Sequence, residues 1–153
     1  MLTGVAGSMA YMAPEILVKK GYSYTIDWWS LGVCMYELIF GRRPFRGRTN
    51  SELTQNITKE SLRFPDDANA KCSENGRQFL SSLLERDITK RLGYKPEGEE
   101  TGLRGIRKHP WLSFFDEDWD KLENKQLQPS FIPDVRLLPY PSFSRFSHPF
   151  DSF

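Results

Sequence analysis

Apolar residues recur at helical intervals through most of the chain, and the breaks between these stretches hold residues that start or stop helices. Pro14 stands where a first turn can use its fixed φ and spare its missing donor, which predicts a short helix from Pro14 to about Lys19. Gly21-Tyr22-Ser23 breaks it, and a second helix runs to about Phe40, with Thr25 or Asp27 offering a capping oxygen and Gly41 closing it. Its apolar residues, from Ile26, Trp28 and Trp29 to Leu38, Ile39 and Phe40, point in every direction around the axis. That is the pattern of a core helix enclosed on all sides. Thr49 with Glu52 three residues on forms a capping box and predicts a helix to about Ile57. Past the break at Phe64-Pro65-Asp66-Asp67, the residues Phe79, Leu80, Leu83 and Leu84 make one stripe of an amphipathic helix between Ser73 and Arg86. A glutamate-rich loop from Gly93 to Gly102 precedes a short helix carrying Leu103 and Ile106 toward His109-Pro110-Trp111. Beyond Trp119, prolines at 129, 133, 139, 141 and 149 exclude helix and central strand. They predict an extended tail pinned by aromatic and aliphatic residues such as Phe131, Ile132, Tyr140 and Phe146. With no repeat and no alternating strand pattern, the fold class is mainly α with an extended Pro/Phe-rich C-terminal tail.

At 153 residues the chain suits one domain of ordinary size, and 39% hydrophobic with 14% aromatic residues exclude a disordered segment. A net charge of +1 argues against a dedicated nucleic-acid or anionic-membrane binder, which needs a sustained basic surface. Cys34 and Cys72 stand far apart, so no disulfide framework is expected; an intracellular location, cytoplasmic or nuclear, follows. The longest apolar run is interrupted by Ser30, Gly32 and Glu37 and is too short to span a bilayer. Residues 1–7 lack the basic start and apolar stretch of a targeting peptide and read as the inside of a loop. His109 and His148 stand apart from any ligand set, so no metal site is expected.

Four motifs occur in order: Gly7-Ser8-Met9-Ala10-Tyr11-Met12, then Ala13-Pro14-Glu15, then Asp27-Trp28-Trp29-Ser30-Leu31-Gly32, then Asp87-Ile88-Thr89-Lys90-Arg91-Leu92-Gly93. Together they resemble the C-terminal lobe of a eukaryotic serine/threonine protein kinase of AGC type, closest in appearance to the Yank-type subfamily. The resemblance implies a partial kinase domain over 1–112, running from the end of the activation segment through the last lobe helix and lacking the small β lobe. It also implies an AGC-type tail over 113–153. Ala13, Pro14, Glu15, Asp27, Trp29, Gly32 and Arg91 would then be structural, with Glu15 and Arg91 forming a buried two-pronged ion pair. Asp27 would cap its helix and bond the backbone of a catalytic loop. Gly7 and Ser8 would lie at the mouth of the substrate groove, with Met9 where the family has proline. Tyr11 and Glu37 would join that substrate-binding set, Glu37 pairing with an arginine before the phosphorylation site. Thr3 is not expected to be an activation phosphosite, because Gly4 occupies the usual position. Phe150-Asp151-Ser152-Phe153 resembles the hydrophobic motif that docks on a kinase small lobe.

The sequence contains no glycine-rich phosphate loop, no His-Arg-Asp and no Asp-Phe-Gly, so no catalytic residue is assigned to it. The parent kinase would use ATP and magnesium to phosphorylate serine or threonine in proteins or peptides. This piece would form the peptide floor, inactive alone and without a cofactor of its own. The alternative is a non-catalytic protein-binding module derived from a kinase lobe. Apolar surface is expected to lie open around Trp28, Val33 and Tyr36, where the missing parts of such a lobe would pack. Arg42, Arg43, Arg46 and Arg48 read as a solvated loop, the alternative being a dock for acidic or phosphorylated partners.

Overall fold

The computed structural model describes residues 9–19, 21, 23–95, 102–115, 118–129 and 131–132. Gly7, Ser8, Thr3, most of the glutamate-rich loop and the tail beyond Ile132 lie outside the described residues. The chain divides into two compact units, Met1–Trp119 and Asp120–Phe153. Helices α1 (Pro14–Leu17), α2 (Thr25–Phe40), α3 (Asn50–Lys59), α4 (Ala68–Lys71), α5 (Glu74–Leu83) and α6 (Leu103–Arg107) build the first unit, and no strand occurs among the described residues. 3₁₀ segments cover Met9–Tyr11, a single turn, and Pro110–Phe115, two turns.

Local chemistry accounts for most boundaries. Pro14 is the first residue of α1. Gly41 takes the left-handed conformation (φ 69°) that ends α2, its N–H donating to the Glu37 carbonyl at 2.8 Å. Thr49 Oγ1 accepts from the Glu52 N–H at 3.1 Å at the start of α3, and the Glu52 carboxylate reaches back to the Arg48 N–H at 2.7 Å. Ser73 does the same for α5, accepting from the Gly76 N–H at 3.2 Å.

The start of α2 departs from expectation. Neither Thr25 nor Asp27 caps it: the cap position is Tyr24, with no side-chain bond. Thr25 is the first helical residue and fully buried, its Oγ1 2.9 Å from Ser23 Oγ. The carbonyls of Ser23 and Tyr24 accept from Ile26 and Asp27 in a tight first turn, which leaves Asp27 exposed. Helix α4, unmarked by any apolar period, is tied by an Asp67–Lys71 pair at 2.8 Å.

Helix α2 is the core axis, but only one side of it is covered. Thr25, Trp29, Val33, Tyr36 and Phe40 fall on one stripe and are buried, each apolar side chain contributing roughly 1.5–3 kcal/mol. Gly32 permits the close approach of α5: a methyl group there would sit 2.9 Å from Leu83 Cβ and 3.1 Å from Leu84 Cδ2. Phe45 folds back to stack on Trp29, with ring centroids 5.8 Å apart and 10° between planes. A second cluster gathers Phe79, Leu83 and Ile106, with Trp28, Trp111 and Leu112 partly buried against it. On the other side of α2, Leu38 is 84% exposed, Leu31 is 40% exposed, and Asp27 and Cys34 are exposed as well. The expected all-round enclosure is therefore absent among the described residues. Val33 and Tyr36 lie inside the core, and the open apolar surface falls at Leu31, Leu38 and Tyr24 instead.

Cys34 and Cys72 are both free. No helix among the described residues is long and apolar enough to cross a membrane. In the second unit, the end of α7 (Trp119–Glu123) is followed by Asn124, whose Nδ2 donates to the Asp120 carbonyl at 2.8 Å. Phe131 and Ile132 are exposed, so the expected pinning is not found at these two residues.

Candidate functional site

The turn after α5 aims Arg91 into the protein. Asp87 Oδ1 accepts from the Thr89 N–H at 3.1 Å and from the Thr89 hydroxyl at 2.7 Å, and the Asp87 carbonyl accepts from the Arg91 N–H at 3.0 Å. The two bonds from Thr89, helped by Lys90, hold the Asp87 carboxyl below the usual carboxylate range. Arg91 then enters the core with a fully buried side chain. Its Nη1 donates to Glu15 Oε1 at 2.7 Å and Nη2 to Glu15 Oε2 at 3.0 Å, a fork-on-fork pair. Nη1 also donates to the Thr25 carbonyl at 3.1 Å and Nε to the Glu85 carbonyl at 2.7 Å, while the guanidinium lies 5.2 Å over the Trp29 ring. Glu15 comes from the first turn of α1, where a carboxylate also suits the positive helix end. One side chain thus ties α1, the start of α2 and the loop after α5 together. Ala13 and Pro14, on the approach to Glu15, are buried with it.

A second pairing lies on α2. The Tyr11 hydroxyl donates to Glu37 Oε2 at 2.5 Å, and Ser30 Oγ donates to the Tyr11 carbonyl at 2.9 Å, so the segment before α1 is docked along α2. The bond to Glu37 pushes the Tyr11 hydroxyl above the usual tyrosine range, with nearby Arg43 working against it. An ionised carboxylate has about four lone-pair sites, so Glu37 keeps capacity for a further donor. Met9 meets α3, with the Thr54 hydroxyl 3.8 Å from its sulfur.

Among the residues singled out from sequence, the structure joins Glu15 to Arg91 and Tyr11 to Glu37, lays Trp29 against the Arg91 guanidinium and sets Gly32 against Leu83 and Leu84. Asp27 stays apart. It is exposed, its carboxylate makes no hydrogen bond or ion pair with the described residues, and it borders a surface pocket of about 370 Å³ with Tyr24, Trp28 and Leu31. Sequence reasoning missed Arg86. Its Nε donates to the Ile57 carbonyl at 2.8 Å and its Nη2 to the Asn56 carbonyl at 3.3 Å and to the Glu60 carbonyl, closing the end of α3 while its guanidinium covers Phe45. Burial draws the Arg86 guanidinium down from its usual value. The acceptors lie 26 to 30 residues away, so no local spacing could reveal this role.

Among the described residues no group of three His, Cys, Asp or Glu side chains could hold a metal ion. The sequence also lacks the glycine-rich cradle and strand lysine that meet nucleotide phosphates. These residues do not fit ATP and magnesium, the pair that protein kinases use.

A helical lobe in which a buried carboxylate–guanidinium fork ties the entering segment to the loop after α5, beside the central helix, is what the resemblance to a kinase large lobe implies. Residues 1–112 match the protein kinase domain. The chain belongs to the protein kinase domain family. It is 41% identical over 130 residues to serine/threonine-protein kinase sgk-1 of Caenorhabditis elegans, covering 85% of this chain and 26% of that protein. It is 42% identical over 130 residues to serine/threonine-protein kinase gad8 of Schizosaccharomyces pombe, covering 84% of this chain and 21% of the relative. It is 40% identical over 139 residues to rhodopsin kinase GRK1 of Homo sapiens, covering 88% and 23%. These relatives are AGC-type serine/threonine kinases, and the chain spans about a quarter of their length.

Proposed function

We propose that this chain forms the peptide-substrate floor of an intracellular AGC-type serine/threonine protein kinase, nearest the Yank-type group on its sequence motifs. Residues 1–112 serve as part of the kinase domain and 113–153 as its C-terminal tail. ATP and magnesium are bound, and phosphate is transferred, by parts of the longer protein that this sequence does not contain. Alone, the chain binds a serine- or threonine-bearing peptide and transfers nothing to it.

The Tyr11–Glu37 bond carries this reading. It holds a carboxylate on the central helix next to the segment that follows Gly7 and Ser8 in sequence, with lone pairs left for a guanidinium. A charge-assisted bond of that kind is worth about 1.5–3 kcal/mol, enough to select an arginine-bearing peptide about tenfold or more. Fluorescence anisotropy with two serine peptides, one with arginine and one with alanine ahead of the serine, tests it. The arginine peptide binds more tightly, and Glu37→Gln, which keeps an oxygen for the Tyr11 hydroxyl, removes the preference while the protein still unfolds cooperatively. Equal affinity of the unaltered chain for the two peptides would overturn the assignment.

A further inference from the structure

The loop between α2 and α3 has its backbone fixed and its arginines exposed. Gly41 turns the chain out of α2, and the Phe45 ring is buried between Trp29 and the Arg86 guanidinium. The Arg46 carbonyl accepts from Asn56 Nδ2 at 2.6 Å, and the Arg48 N–H donates to the Glu52 carboxylate at 2.7 Å. Between these anchors, Arg42, Arg43, Arg46 and Arg48 are all exposed. Arg63 joins them from another stretch of chain: it is exposed, and its carbonyl accepts from the Tyr36 hydroxyl at 2.7 Å. Burial raises the Tyr36 hydroxyl above its usual range, and the charge of Arg42, a hydrogen bond with Arg42 and the charge of Arg46 act on it in the opposite direction. Arg42, Arg46 and the Arg63 backbone therefore gather around one hydroxyl group. None of the five arginines forms an ion pair with a described carboxylate. Nearby carboxylates have other partners: Glu52 takes the Arg48 N–H, Asp67 pairs with Lys71 and Glu37 takes the Tyr11 hydroxyl.

We propose that this face, residues 41–49 together with Arg63, docks an acidic protein segment. The inference goes beyond the substrate-floor reading and stands whether or not that reading holds. Four like charges on a pinned loop, with Arg63 on a separate exposed stretch, repel one another, and a row of carboxylates relieves that repulsion without reordering the backbone. All five are arginines, whose planar forks match carboxylates two bonds at a time. The remainder of the molecule selects a short segment over an extended polyanion. Of 21 Lys and Arg residues, five stand here, leaving 16 against 20 Asp and Glu, a net of −4 elsewhere. A membrane or a nucleic-acid duplex presents negative charge over a wide area and meets that acidic surface too. A short peptide touches only the arginines.

The test uses the full chain and a fluorescein-labelled oligo-glutamate peptide, read by anisotropy at low and physiological salt. Oligo-lysine, phosphatidylserine vesicles and a single-stranded oligonucleotide serve as comparison probes. Oligo-glutamate binds and weakens as salt rises. Arg42→Glu with Arg46→Glu weakens it about tenfold, as reversing two solvent-facing pairs implies. Arg43→Glu with Arg48→Glu also weakens it, and Lys108→Glu, on an exposed residue of another element, does not. All variant side chains are exposed, and an unchanged melting temperature confirms that they fold. No binding of oligo-glutamate at low salt would overturn the proposal. So would equal loss on Lys108→Glu, or tighter binding of the vesicles or the oligonucleotide than of the peptide.

Discussion

Replacing Glu15 with leucine strands the Arg91 guanidinium in the core. The wild-type side chain has four donor bonds, two of them to Glu15, and no solvent exposure. After the change it keeps only the carbonyls of Thr25 and Glu85 and the face of Trp29, none of which carries a compensating charge. Breaking a buried pair in this way costs about 3–5 kcal/mol. Against a typical total of about 5–15 kcal/mol, that removes from about a fifth to most of the stability. It corresponds to a fall in melting temperature of roughly 10 °C for a chain of this size. Removing both charges, in Glu15→Leu with Arg91→Met, takes away the stranded ion, so the double variant loses less than the two single variants combined by at least about 1 kcal/mol. Thermal and urea unfolding of the four proteins measures the cycle. A Glu15→Leu protein melting within about 2 °C of the parent, or strictly additive losses, would show that the fork does not hold α1 to the lobe.

Other consequences follow from the same geometry. Gly32→Ala drives a methyl group into Leu83 and Leu84 and should cost about 1–3 kcal/mol in overpacking, partly offset by the better helix propensity of alanine; urea unfolding reads the net loss. Thr49→Ala deletes the oxygen that receives the Glu52 N–H and should destabilise the chain by about 1 kcal/mol, with faster amide exchange in the first turn of α3. Burial holds the His109 imidazole below its ordinary range, and its Nδ1 accepts from the Trp111 N–H at 3.2 Å, so the folded protein takes up this proton less readily than the unfolded chain. That contribution to stability is complete above the unfolded value of about 6.5 and is lost as pH falls through the lower folded value. Melting temperatures between about pH 5 and 7 should therefore rise with pH, and His109→Asn should flatten that slope.

Much of this fold is legible where a boundary depends on one residue's own chemistry. Pro14, Gly41, Thr49 and Ser73 each mark a helix end because a fixed φ, a positive φ or a side-chain oxygen acts within a few residues. The start of α2 is not legible in this way. Thr25 and Asp27 are both suitable caps, but a tight turn with backbone acceptors supplies the bonds instead. The apolar pattern of α2 also misleads. It marks what the helix can bury, whereas Leu31 and Leu38 stay exposed among the residues described. The fork between Glu15 and Arg91 is 76 residues long in sequence, and only the ordered motifs suggest it. Arg86 has no such motif, and its contribution emerges only from coordinates.

The central claim is that this chain supplies a peptide floor while the chemistry resides in other parts of a longer kinase. Incubating highly purified chain with radiolabelled ATP, magnesium and the arginine-bearing serine peptide tests it most directly. The account predicts bound peptide and no label above background. Label transferred to serine, and abolished by Asp27→Ala, would contradict it.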